Sequence, residues 1–415
     1  MGLYRKAGRL KRAIATLGLC CAAAVGAGSP VAAAPFCQLN VSSPVLVPVS
    51  GFPGVIDPTC QHVYLTNSSK NRVEVFSLPG GTLESPIPVG AFPLGLGITP
   101  DGTYLYVING NDLPYGTMSV VSLRDRVEVN KIFFPFSFSE DGPFSIAIAN
   151  NGLGLASTYN VAGQPGHLWL LDLARNTLKG VLLSGIGQTV LKSSGDRSKI
   201  GLLEINPPAY SSGVFSYTAA TNSISPATSF PSHVHDISLD ATGSTFLVTG
   251  DTRTFVLDAN LNLIGTIPGG GFGGAVSATG QVGYRATGQG IDILDLSNFL
   301  TIGTLALLDT GGGPMAISAD GTLLAVPTAH GLSIVRTGFN VSIAKTGTGS
   351  GTVTSSPPGI DCGPTCTASF PPGTVLTLTA TPASDATFTG SDRGCLAEPL
   401  TLTTDQICAA EFDLQ

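Results

Sequence analysis

Ile98–Asn109 reads ITPDGTYLYVIN. Ile98 closes one apolar run, Asp101-Gly102 marks a tight turn, and Tyr104–Ile108 is a second run of aromatic and aliphatic residues. Glycine after Asp supplies the positive φ of a hairpin turn, so the stretch predicts two antiparallel strands. The second run is apolar on both faces, whereas a half-exposed strand alternates. It therefore reads as a strand packed between two neighbours.

The unit recurs along the chain. One strand per copy carries apolar residues followed by Asp or Ser: Val73–Ser77, Met118–Ser122, Leu168–Asp172, Gly213–Ser216, Thr254–Asp258 and Ile291–Asp295. Leu332–Val335 is a seventh copy, with Arg336 in the polar place, and the spacing is about 37–50 residues. A second column precedes the turn, at Ile56, Ile98, Ile148, Leu239, Val276 and Ile317. Small residues stand just before it at Gly97, Ala147, Ser238, Ala275 and Ala316. Turns follow at Asp101-Gly102, Asn151-Gly152, Thr242-Gly243, Thr279-Gly280 and Asp320-Gly321, with Thr59-Cys60 in the first copy. A period of this length with four short strands per unit predicts an all-β, seven-bladed β-propeller, the small residues relieving crowding at the axis. Blade four, Gly187–Val234, fits the register least well. The last blade has three strands of its own, and Val45–Val49 supplies the fourth and closes the ring.

Composition agrees. Of 415 residues 43% are hydrophobic and 11% charged, which is too apolar for disorder. Gly and Pro, 53 and 29 residues, break long helices. Five of the 20 Lys and Arg lie in the first 34 residues, which hold no acid, so the remaining 15 face 27 Asp and Glu. That acidic body excludes nucleic acid as a partner.

Arg5, Lys6, Arg9, Lys11 and Arg12 precede an apolar Ala13–Gly28 segment and the small residues Val31–Ala34. Residues 1–33 read as a signal peptide cut after Ala33, with no transmembrane segment after its removal. A retained anchor is short at about 16 residues, and a lipoprotein reading at Cys20 meets the bulky Leu19. The mature chain is thus expected to be exported, to the periplasm, the cell surface or the medium. Six cysteines remain, Cys37, Cys60, Cys362, Cys366, Cys395 and Cys408, an even number that reads as disulfides. Cys37 and Cys60 are placed to pin the closing strand. Cys362–Cys366 and Cys395–Cys408 are the pairings proposed for the rest, over a zinc site, because zinc modules show two tight Cys pairs.

Thr99–Asn109, with Pro93 and Gly95 before it, resembles the repeat of the YVTN family of bacterial β-propellers over about 290 residues. That family is similar in fold to lactonase-type propellers, and its motif residues are structural, so the resemblance implies no catalytic residue. After residue 338 the composition shifts to Thr, Ser, Gly and Pro. Lys345–Thr354, Cys362–Cys366 and Gly373–Ala380 are similar to a divergent internalin B-repeat, a small β module of exported bacterial proteins. Thr387–Gly390 is followed by Ser391 where that family carries Trp. The expected organisation is residues 34–338 as propeller and 341–415 as a disulfide-stapled module.

Candidate chemistry is sparse. Of five histidines only His233 and His235 cluster. Strand alternation puts them on one face near a channel mouth, where carboxylates such as Asp236 or Asp240, or the loops of other blades, would have to complete a metal site. Two ligands do not make one, and no metal or other cofactor is expected. Asp172, Asp258 and Asp295 occupy equivalent repeat positions and read as turn caps. Gly269–Gly274 matches G-x-G-x-x-G but enters a strand where dinucleotide binding needs a helix. The sequons at Asn40, Asn67 and Asn340 carry little meaning in a bacterial chain, and Trp169 reads as packing. The sequence favours a non-catalytic binding or scaffold protein. It would take a protein or cell-surface glycan through the loops Asn109–Gly116, Tyr159–Gly166 and Asn206–Ser212. The alternative is a lactonase-like hydrolase with its site at the channel mouth.

Overall fold

A computed structural model describes Cys37, Leu39 and residues 44–49, 54–112, 115–137, 142–159, 166–206, 212–230, 233–311, 313–363, 366–370, 374–391, 395–396, 398–402 and 405–415. The expected signal peptide and the tips of the three expected loops (113–114, 160–165 and 207–211) lie outside these residues.

Seven antiparallel sheets follow one another in the order of the repeats. Their first strands are Val55–Ile56, Pro93–Ile98, Gly142–Ile148, Gln188–Ser193, Val234–Leu239, Gly273–Val276 and Ala316–Ile317. Each packs against the first strands of the blades before and after it, and the last meets the first, so they form a closed ring. The recurrent apolar-then-Asp/Ser strand is the third of every blade. Blade four departs from the second column because its inner strand ends on Lys192-Ser193, where five of the other six blades have a small residue followed by a large apolar one.

Seven apolar clusters lie one at each junction between blades. This explains the unbroken apolarity of the second strands: Leu105 and Val107 point into the cluster shared with blade one, Tyr106 and Ile108 into that shared with blade three. The ring closes through Val45–Val47, which pairs antiparallel with blade seven as Val45↔Ile334, Leu46↔Ser333 and Val47↔Leu332. Gly331 must be glycine there, because a Cβ would lie 2.1 Å from the Val47 carbonyl oxygen. A Cys37–Cys60 disulfide ties the closing segment to blade one, and the Cys37 N–H donates to Asp320 of blade seven at 2.7 Å.

The C-terminal module begins at Phe339. One sheet orders Thr367–Phe370, Phe339–Thr346, Gln406–Leu414 and Ala386–Ser391; a smaller one orders Gly351–Ser356, Val375–Pro382 and Leu400–Thr401. Its core of Val341, Val353, Leu376, Leu402 and Phe412 is stapled by Cys362–Cys366 and Cys395–Cys408. Phe412 is fully buried in this core. Arg336, the residue that breaks the repeat register, clasps the module: Nη1 donates to both oxygens of Asp405, and Nη2 to the Leu39 carbonyl at 2.6 Å.

Candidate functional site

The seven inner strands enclose a cavity of about 690 Å³, mostly apolar in its lining. That volume and character suit a small-molecule pocket. One end carries the turns that follow the inner strands. The opposite end carries the loops between second and third strands and the entries into each blade.

At the loop end the Gly269–Gly274 run crosses from blade five to blade six. Its glycines are forced by close approach. A Cβ at Gly270 would come 1.8 Å from the Asp251 carbonyl oxygen, one at Gly271 would come 2.3 Å from Arg285 Cγ, and one at Gly273 would come 1.8 Å from the Gly313 carbonyl oxygen. Gly269 adds a φ of +96°. The run folds over Arg285, which is 4% exposed. The guanidinium gives Nη2 to Asp292 at 2.6 Å and Nη1 to the Pro268 and Gly269 carbonyls at 3.0 and 2.6 Å. The motif is thus a cradle that holds Phe272 half exposed at the channel mouth.

Beside Phe272 lies His235, ring centroids 5.7 Å apart, and His235 Nε2 meets Asp251 Oδ1 at 2.7 Å. The expected alternation of His233 and His235 is broken: the strand starts at Val234, and its pairing slips between Val234 and Asp236. Both histidines still border a smaller pocket of about 270 Å³ with Asp251 and Ile205. The carboxylates named as possible co-ligands accept hydrogen bonds from other groups, although Asp236 Oδ1 is buried without a partner among the described residues. Asp240 accepts the Ser244 N–H and hydroxyl at 2.7 and 2.6 Å. Asp236 is fully buried and accepts from Lys192 Nζ at 3.1 Å, Gly274 N–H at 3.0 Å and Met315 N–H at 3.2 Å. Burial pushes the Asp236 carboxyl up, against the pull of Lys192. Among the described residues, the group with three ligand atoms close enough for a metal is Cys37, Cys60 and Asp320, whose sulfurs are bonded to each other.

The three aspartates at equivalent repeat positions cap turns. Asp172 accepts the N–H groups of Ala174 and Arg175, Asp258 those of Asn260 and Asn262, and Asp295 those of Ser297 and Asn298. Of the loop residues expected to bind, Asp112 is held by Thr117 and Lys131. The sequence singles out neither Phe272, Asp251 nor Lys192, and Asp236 only as a possible metal co-ligand. The available signals were Lys192 in a small-residue column and an aromatic residue inside a glycine run.

No protein-family profile matches the chain, and no curated protein matches it. Solved structures do. Hydrazine synthase of Kuenenia stuttgartiensis aligns over 72% of this chain and 99% of its own, with a TM-score of 0.58 and 15% identity. The Dos1 propeller aligns over 72% of this chain and 81% of its own, with a TM-score of 0.56 and 13% identity. The fold is a β-propeller. At these identities the likeness extends to the fold alone, and neither the YVTN nor the internalin-type resemblance gains support from it.

Proposed function

We propose that this chain is an exported, non-catalytic binding scaffold that takes a protein or cell-surface glycan at the loop end of its channel. The observation that carries the reading is Phe272. Its ring is half exposed, and a run of glycines and a buried arginine hold it beside the His235–Asp251 pair. Rigid aromatic anchors with a polar neighbour are the usual centre of a recognition surface. Export is supported by the three disulfides and by the basic-then-apolar start of the sequence. No helix among the described residues is long and apolar enough to cross a membrane. The test is capture of envelope proteins and a glycan array, each run with the wild type and with Phe272→Ala. Loss of every specific partner in the variant supports the mouth as the site. Undiminished binding moves the site elsewhere.

The hydrolase reading has one observation in its favour: His235, which borders the cavity, is paired with Asp251, the format of a general base and its orienting carboxylate. A lactone and ester screen beside metal analysis of the wild type and a His233→Ala/His235→Ala variant decides it. Turnover lost in the variant would establish it, and a stoichiometric metal lost there would support it; the absence of both turnover and metal from the wild type counts against it.

A further inference from the structure

Blade four places two cations on the channel wall where the repeat calls for none. Blade four aligns with blade two through its hydrogen bonds: Ser194 N–H to Lys199 O matches Thr99 N–H to Tyr104 O, and Ser194 Oγ to Asp196 matches Thr99 Oγ1 to Asp101. In that alignment Lys192 stands in the place of Gly97 and Arg197 in that of Gly102. The turn position is glycine in five blades, at φ values between +66° and +78°. The exceptions are Cys60, committed to a disulfide, and Arg197 at φ +59°. A long side chain in the left-handed region costs about 1–2 kcal/mol against glycine, so its presence needs a reason.

Arg197 and Lys192 both line the 690 Å³ cavity. The half-buried Arg197 side chain reaches past blade three to the Ile98 carbonyl of blade two with Nη1. A guanidinium has five N–H donors, and no ion pair within 4.0 Å engages Arg197 among the described residues. Burial depresses its pKa to about 10 while Asp101 pulls it back up. Lys192 gives two of its three N–H groups, to Asp236 Oδ2 at 3.1 Å and to the Met315 carbonyl at 2.5 Å. The carboxylates at the turn end, Asp101 among them, are engaged in their own turns: Asp101 by Thr99 and Thr103, Asp196 by Ser194 and Ser198, Asp240 by Ser244 and Thr245. Much of the remaining wall is apolar, with Phe144, Ile146, Val190 and Leu94 among its residues.

We propose that the channel wall at blade four binds an oxyanion, a carboxylate or a phosphate, carried on an apolar body that lies along the channel. Arg197 supplies the forked donors that match either headgroup, Lys192 its remaining N–H, and the apolar wall the rest of the affinity. This site is independent of the partner proposed for the mouth.

The test is isothermal titration of the oxidised full chain with octanoate, octyl phosphate, octylamine and inorganic phosphate. One site for at least one octyl anion is expected. Octylamine should not bind, and inorganic phosphate should bind at least tenfold more weakly than octyl phosphate. The two octyl anions separate the headgroups. Arg197→Gly restores the array's own residue at the left-handed position, so it should fold, as checked by circular dichroism, and lose at least fivefold in affinity. Lys192→Met/Asp236→Asn, which removes the buried pair together, should also lose at least fivefold and decides the matter should Arg197→Gly fail to fold. Absence of binding by both octyl anions, equal binding of octylamine or of inorganic phosphate, or a smaller loss in the folded variants overturns the proposal.

Discussion

Replacing Arg285 with Met tests whether the glycine run is a cradle or an ordinary loop. The substitution keeps most of the buried volume and removes the charge. Asp292, 17% exposed, then loses its cation, and the Pro268 and Gly269 carbonyls lose their donor. Breaking a buried ion pair from one side costs about 3–5 kcal/mol. Water reaches Asp292, so the low end, about 3 kcal/mol, applies. With an m-value near 3 kcal/mol/M the urea midpoint should fall by about 1 M at unchanged m. Arg285→Lys restores the charge, but one ammonium cannot reach Asp292 and both carbonyls as the fork does, so it should recover less than half of the loss. Partner binding at the mouth should fall with Arg285→Met although Phe272 is still in the chain. A loss under about 1 kcal/mol, or complete rescue by Lys, would refute the idea that the buried guanidinium holds the loop.

Two further outcomes follow from the ring and its turns. Cys37→Ala/Cys60→Ala opens a bridge spanning 23 residues, and chain entropy sets the expected loss at about 3 kcal/mol, read as a lower melting temperature than the oxidised wild type; an unchanged melt would mean the strand pairing alone closes the ring. Burial pushes the Asp57 carboxyl up, but hydrogen bonds from His62, the Gln61 N–H and Thr59 outweigh it and hold the group below its ordinary 3.8. A depressed carboxyl contributes stability above its unfolded value and loses it as pH falls through the folded one, so the gap in urea midpoint between wild type and Asp57→Asn should be widest at neutral pH and narrow below about pH 4; a gap that does not change with pH counts against the reading.

The architecture was legible because a propeller repeats its backbone requirements. The turn glycines, the apolar column ending at Ile98 and the small residues before it recur because each blade must turn, pack and clear the axis in the same way. The closing strand could be read from a counting argument, three strands at the end and one spare at the start. The site was less legible. His233 and His235 drew attention as metal-capable residues, but a slip in strand pairing breaks their alternation and Asp251, from a neighbouring turn, takes His235. Phe272 lay inside a motif judged only as a dinucleotide signature, and its setting depends on Arg285, 13 positions away and silent in any local pattern.

Repeat arrays make departures from pattern informative in a way single-copy folds do not. Each position in a blade has aligned counterparts that state what the backbone alone requires. Arg336 breaks the polar column and proves to hold the C-terminal module through Asp405. Cys60 replaces a turn glycine and joins the closing segment. Lys192 and Arg197 break two columns in one blade, and both breaks deliver positive charge to the same cavity. The first two departures have structural partners that account for them. Lys192 has one in Asp236, but among the described residues the five donors of Arg197 find one hydrogen-bond acceptor, a carbonyl, with Asp101 acting on it only through space. By the same logic, the blade that fits the repeat worst is where a ligand should be sought first.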